Sequence, residues 1–325
     1  MRAFVALLTA AALLSACGAL PRSQSSAPVA DHHQHLFSPT ILAALDTPKD
    51  GPKPIYAKDI VALMDLAGIE RAAVLSVAYM YGSPKRKIDD EYTKVKAEND
   101  WNGAQAALYP GRLKAVCGVN PLKAYALEEV ARCAADPRQA RMIKLHFGNS
   151  DVQVNDPVHL EKMRHFFRTA NQHRMGLLIH MRASISLKRP YGAPEAKIFL
   201  EQLLPMAPDV PVQLAHLAGT GPGYDDPPSD EAMAFIAEAA GRRDPRTRNL
   251  WFDVASVADR EITPANAAKL VLRLRTAGVD RILYGTDAAT GNNLRPFDSW
   301  AAFRKLPLTE AEFATIAGNV APYMK

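Results

Sequence analysis

A single-domain (β/α)8 TIM barrel of the α/β class is the fold this sequence predicts, and three observations carry it. Eight short apolar runs alternate with amphipathic helical runs, the pattern of a parallel sheet with crossover helices. The first run is followed by His33-Gln34-His35-Leu36-Phe37, not by the Gly-rich phosphate turn of a doubly wound sheet, the other architecture such alternation allows. Histidines and an aspartate recur at the C-terminal ends of the runs, where a barrel carries its reactive groups.

The 325 residues, 48% hydrophobic and 22% charged, are enough for a large core, and α/β barrels of this length are commonly one domain. The net charge of +5 is modest, and the densest basic cluster, Lys85-Arg86-Lys87, reads as a solvated loop, so no nucleic-acid partner is expected. No short repeat marks a solenoid or propeller.

The chain opens with Arg2 and an apolar run, Phe4 to Leu14, too short to span a bilayer comfortably. Leu14-Ser15-Ala16-Cys17 follows and resembles the lipobox of bacterial lipoproteins. The resemblance implies a signal peptide over 1–16, cleavage before Cys17, and a lipid on Cys17 that holds the protein to a membrane. A plain secretory signal cut nearby is the alternative. Gly18 in place of Asp implies the periplasmic side of the outer membrane in that class. Residues 17–28 then read as a Pro/Ser/Ala tether, and 29–325 as the barrel.

Strands are expected at Val29–His33, Ala72–Val77, Leu113–Val119, Met142–Phe147, Gly176–His180, Val210–His216, Leu250–Val254 and Arg281–Gly285. Helices are expected at Ala57–Leu66, Glu91–Leu108, Ala124–Ala134, Pro157–His173, Pro194–Leu204, Asp230–Ala239, Pro264–Ala277 and Thr309–Asn319. Asn155-Asp156-Pro157, Ser229-Asp230-Glu231 and Thr263-Pro264 are start signals. Gly68, Gly176 and Gly278 lie where helices stop. Cys117 falls in a strand-like run and Cys133 in a helical one. Export permits a disulfide, but two buried free thiols are the expectation.

Asp31-His32-His33-Gln34-His35 is the stretch the site is organised around. On a regular strand Asp31, His33 and His35 share one face, and imidazole nitrogens suit zinc and similar ions. Lys144 and His146 close the fourth run, His180 the fifth, His216 the sixth and Asp287 the eighth. A single histidine of this kind is ordinarily a hydrogen-bonded core or rim side chain. The joint arrangement, two His from one strand, another His and a carboxylate, makes an open shell for a catalytic divalent ion.

Asp31-x-His33-x-His35, His180, His216 and Tyr284-Gly285-Thr286-Asp287 resemble the amidohydrolase superfamily. The branch they resemble is the amidohydrolase 2 group, which includes the aminocarboxymuconate-semialdehyde decarboxylase-like enzymes. The resemblance runs from about Asp31 to the end, where Ile316 to Ala321 looks like that group's closing helix. It implies that His33, His35, His180 and Asp287 bind one divalent metal, zinc by expectation. Asp287 would take a proton from the metal-activated water, and His216 would orient that water or stabilise developing charge. Asp31 would support these ligands or lie on a solvated rim. Lys144 has three readings: carboxylated and bridging two metals, with His180 and His216 on the second; directed at a substrate carboxylate; or paired with an acid. One metal is the expectation.

Long loops follow the second, fifth and eighth runs, at 79–87, 181–191 and 288–296. Their aromatics and cations suit a small organic, partly apolar, anionic substrate, and Arg182, two residues beyond His180, is the candidate for a substrate carboxylate. Gly219 to Gly223 reads as a bend leaving the sixth strand. The expected function is therefore a metal-dependent hydrolase of an amide, ester or lactone, exported and lipid-anchored. Non-oxidative decarboxylation of an aromatic or unsaturated acid on the same centre is the alternative. A binding lipoprotein without turnover is the third reading.

Overall fold

Parallel pairing forces every strand of this chain to be joined to the next by a crossover, and the crossovers here are helical. The computed structural model describes residues 27–45, 51–289 and 293–325. The expected signal peptide, Cys17 and all but the last two tether residues lie outside the described residues. The strands are β1 (Ala30–His35), β2 (Arg71–Leu75), β3 (Leu113–Gly118), β4 (Gln139–His146), β5 (Gly176–His180), β6 (Val212–Leu214), β7 (Leu250–Asp253) and β8 (Ile282–Leu283). They form one parallel eight-stranded sheet in sequence order, the (β/α)8 barrel the alternation predicts.

The sheet curls back on itself where β8 meets β1. The His32 amide donates to the Tyr284 carbonyl at 2.9 Å, and the Asp287 amide to the His33 carbonyl at 2.7 Å. Gly285 makes this seam feasible, since a Cβ there would stand 2.9 Å from the His33 Cβ. The chain's end seals the floor. The Ala321 amide donates to His32 Nε2 at 3.1 Å, and the Tyr323 hydroxyl to Gln213 Oε1 at 2.8 Å.

Around the sheet lie α1 (Pro39–Ala44), α2 (Ala57–Ala67), α3 (Glu91–Ala107), α4 (Ala126–Ala135), α5 (Phe147–Ser150), α6 (Pro157–Gln172), α7 (Ala193–Ile198), α8 (Pro227–Gly241), α9 (Pro264–Ala277), α10 (Pro296–Phe303) and α11 (Glu310–Gly318). Asp156 and Thr263 cap α6 and α9 by accepting from first-turn amides, as their sequences promise. Alternation along the strands sorts the side chains. Ile143, Leu145, Leu177 and Ile179 pack outward with Phe166, Phe167 and Phe199. Met142 and Leu178 join Ala30, Leu75 and Leu283 inside the barrel. Lys144, His146 and His180 therefore continue the inward rows at the C-terminal end.

Four expectations are corrected. Cys117 and Cys133 are not free thiols: they form a disulfide joining β3 to α4. The helix expected over Pro194–Leu204 is helical in the α sense only to Ile198, then continues as a π turn, Phe199–Leu203, and a 3-10 turn containing Pro205. The sixth strand stops at Leu214, because His216, Leu217 and Ala218 all take left-handed φ, at 53°, 50° and 61°. A helix absent from the expected set, α10, begins at Pro296, the last residue of the expected loop. Among the described residues no helix is long and apolar enough to cross a membrane.

Candidate functional site

The C-terminal ends of the strands surround a cavity of about 430 Å³. His33, His35, Lys144, His146, His180, His216 and Asp287 line it, with Phe37, Val77, Tyr79, Met80 and Pro222 supplying apolar wall. Strand β1 delivers two of its histidines through an irregularity. Its register with β2 shifts between Asp31 and Gln34, so alternation breaks: His32 reaches the floor, while His33 and His35 reach the cavity. Asp31 is neither on a rim nor a donor to the cavity. It is fully buried and accepts from the His33 and Thr286 amides, the Gln34 amide group and the Thr286 hydroxyl. Burial nevertheless pushes its carboxyl up to about 6.

His33, His35 and Asp287 each offer a ligand atom, all within 4.8 Å of one another. The acceptors behind the two rings decide which ring nitrogen is offered. His33 Nδ1 donates to Asp253 Oδ2 at 3.0 Å and His35 Nδ1 to the Leu75 carbonyl at 2.8 Å. Both acceptors lack hydrogens, so both rings carry the proton on Nδ1 and turn an Nε2 lone pair elsewhere. His35 Nε2 stands 3.6 Å from Asp287 Oδ1. Burial first, and the Lys144 charge second, push both imidazoles down to about 3. The His33–Asp253 contact is thus a hydrogen bond from neutral imidazole to carboxylate.

Lys144 is buried with its Nζ 3.2 Å from His33 Nε2. Burial lowers its amine to about 8, against the pull of Asp253 and Asp287. A cation already faces the His33 lone pair, and the nearby set is two imidazoles and a carboxylate. That donor chemistry fits a divalent metal.

His216 sits beside this group, its ring centre 4.7 Å from that of His33 and 5.1 Å from that of His180. Its Nδ1 donates to the Ala255 carbonyl at 2.7 Å, leaving Nε2 as an acceptor. His180 lines the cavity with its ring stacked 3.9 Å from that of His146, outside the tight group of His33, His35 and Asp287. Burial keeps both His146 and His180 well below the ordinary range. Arg182 is not brought to the cavity. It pairs with Asp226 at 2.6 Å and stacks over Tyr191. Of the predicted loops, Tyr79, Met80 and Asn293 reach the cavity, and Asn293 donates to Asp287 at 3.2 Å. Lys85, Arg86 and Lys87 are exposed.

Asp253 is the residue sequence reasoning missed. It accepts from His33 Nδ1, Gln213 Nε2 and the amides of His216 and Ala255. Burial would raise its carboxyl, but the His33 contact and then the His216 contacts outweigh this and hold it below the ordinary range. Its signal was the one that singled out Asp287, a carboxylate ending an apolar run, Leu250-Trp251-Phe252-Asp253.

Comparison with solved structures gives fold relatives of low sequence identity. A 5-carboxyvanillate decarboxylase from Sphingomonas paucimobilis superposes with TM-score 0.61 at 15% identity, over 90% of this chain and 97% of that one. A probable 2-pyrone-4,6-dicarboxylic acid hydrolase from Acinetobacter baumannii, with citric acid bound, gives 0.58 at 17%, over 89% and 96%. A 5-carboxyvanillate decarboxylase from Novosphingobium aromaticivorans, with manganese and a nitrobenzoic acid bound, gives 0.57 at 13%, over 91% and 96%. No curated protein matches significantly by sequence. The amidohydrolase family model matches residues 30–321, a span holding all eight strands and every cavity residue named above, and the chain belongs to that family of enzymes.

Proposed function

We propose that the protein is a metal-dependent hydrolase that opens an ester, amide or lactone of a small organic substrate. The observation that carries this reading is the acceptor state of His216, whose Nδ1–H is given to Ala255. An imidazole lone pair beside the donor group suits accepting a hydrogen bond from, and so orienting, an attacking water, whereas decarboxylation asks for a proton to be delivered to carbon. His33, His35 and Asp287 would hold one divalent ion, zinc in our reading, with His180 completing the set once it leaves His146. Bound there, the ion supplies Lewis acidity toward water and a carbonyl oxygen. Asp287, steadied by Asn293, accepts the proton. His216 orients the attacking water, and the wall of Phe37, Val77, Tyr79 and Met80 holds the apolar part of the substrate. Lys144 offers a cation to an anionic substrate group; its carboxylation would recruit a second ion.

Decarboxylation of an aromatic acid is the second reading, favoured by similar structures that are named as decarboxylases. One of those holds manganese, so manganese is tested beside zinc. Elemental analysis of protein purified without added metal is expected to return about one ion per chain. The loaded protein is then assayed on aryl esters, lactones and hydroxylated benzoates. Carbon dioxide release without any hydrolysis selects the second reading. Bound substrate with no turnover selects a binding protein.

Export and lipid anchoring through Cys17, to the periplasmic side of the outer membrane, belong to the same proposal. The buried Cys117–Cys133 disulfide supports an oxidising compartment. Cys17→Ser is expected to leave the protein unprocessed or soluble; unchanged membrane fractionation rejects the anchor.

A further inference from the structure

His146 differs from the other cavity histidines in the partner its ring has chosen. His33, His35 and His216 give Nδ1–H to acceptors. His146 Nδ1 instead receives the Asn149 amide hydrogen at 3.2 Å, capping the start of α5. A nitrogen that accepts an N–H carries a lone pair, so the proton of this ring is on Nε2. Gly148 crowds this same side of the ring: a Cβ there would stand 3.4 Å from His146 Cε1 and 3.7 Å from Nδ1. His146 lines the cavity, and its Nε2 has no protein partner among the described residues. Tyr79, also in the cavity wall, has its ring 5.2 Å away. Its hydroxyl makes no hydrogen bond among the described residues, though the Asp287 charge acts on it.

We propose that His146 is a catalytic hydrogen-bond donor, its Nε2–H and the Tyr79 hydroxyl facing the substrate oxygen that gains negative charge, and that it is not a metal ligand. The assignment rests on the hydrolytic reading for the identity of that oxygen, and on the backbone alone for the tautomer. The barrel thus uses one residue type for two tasks. Rings backed by acceptors present lone pairs to the metal and to water, and the ring backed by a donor presents a proton to substrate. Fixed donors of this kind cost no reorganisation as charge develops.

The tautomer is read directly by ¹⁵N NMR of labelled, metal-free protein, with the His146 signals assigned by their loss in His146→Asn. Nε2 of His146 is expected to be protonated while Nε2 of His33, His35 and His216 is not. Zinc should shift the latter and leave the His146 Nε2–H in place. An Nδ1–H tautomer, or loss of that proton on adding zinc, overturns the proposal. The donor role is tested by titrating zinc-loaded protein with phenylphosphonate, whose oxyanions stand in for the developing charge, and by turnover. Asn at 146 keeps the cap to Asn149 and removes the ε donor; Gln supplies an ε donor. His146→Asn is expected to weaken phosphonate binding at least tenfold and lower kcat about a hundredfold, the usual loss for one such donor, with KM little changed. His146→Gln should recover most of the loss. Equal losses in both, or a better Asn than Gln, identify the cap as the whole role and overturn the proposal. If no ester or lactone is turned over by the unaltered protein, the hydrolytic reading fails, and the NMR and phosphonate measurements still decide the assignment.

Discussion

Replacing Asp253 by Asn separates shape from charge at the centre of the site. One Asp253 oxygen receives the His216 and Ala255 amides, and the other receives His33 Nδ1 and Gln213 Nε2. An Asn carbonyl keeps the first pair. Its NH2 then faces two donors, and His33 is relieved only by moving its proton to Nε2, where the lone pair for the metal was. Loss of such a supporting partner ordinarily weakens metal binding about 10- to 100-fold, or about 1.4 to 2.7 kcal/mol at 1.36 kcal/mol per tenfold. Two hydrogen bonds to a buried charge also go, worth about 1.5 kcal/mol or more each, so the fold is expected to lose about 3 kcal/mol as well. Zinc affinity is measured by competition with a chromogenic chelator on protein shown to be folded by circular dichroism, and the His33 tautomer by ¹⁵N NMR. Zinc affinity within twofold of the unaltered protein, with His33 Nδ1 still protonated, would refute the claim that Asp253 sets the ligand state.

Other outcomes follow from the same structure. His33→Ala is expected to lose most bound metal and activity while keeping its far-ultraviolet spectrum, because the site lies at the catalytic end of the barrel; full metal content removes His33 from the ligand set. Arg182→Ala should lower stability by about 2 kcal/mol, a buried-pair loss discounted for the partial exposure of Asp226, and leave KM for any substrate found nearly unchanged; a large rise in KM would return Arg182 to the substrate. Cys117→Ser with Cys133→Ser opens a link across a sequence separation of 16, for which the chain-entropy account gives about 3 kcal/mol. Urea denaturation of the two forms measures it, and identical midpoints would show that the bond does not restrain the unfolded chain.

The barrel was legible because its signals are periodic. The apolar runs and capped helices alternate without a break, and chemistry at strand ends confirms the direction of each strand. The donors that end strands, His33, His35 and Asp287, were legible for the same reason. What escaped depends on neighbours distant in sequence. Whether Cys117 meets Cys133 depends on which face of α4 rests on β3. Arg182 looked aimed at substrate because it follows His180 by two, but strand alternation ended there and Asp226 captured it. His216 kept its place near the site although its strand ended two residues early, since three left-handed residues turn the chain there. That conformation has no mark in Ala215-His216-Leu217-Ala218. The tautomers were beyond reach, being fixed by a carboxylate, a carbonyl or an amide behind each ring.

The last residues of the chain bear on when the site comes into being. Ala321 caps His32 across 289 positions of sequence, and Tyr323 holds Gln213, which in turn holds Asp253. Synthesis delivers β1 long before these residues, 289 positions earlier in the case of His32 and Ala321. The first strand therefore waits for all seven later strands before this end of the barrel is closed beneath it. Such distant contacts are slow to form, and a nascent or truncated chain presents histidines without the frame that gives them a ligand's geometry. The frame around these histidines is therefore set late in folding, once residues 321 and 323 have docked beneath the barrel.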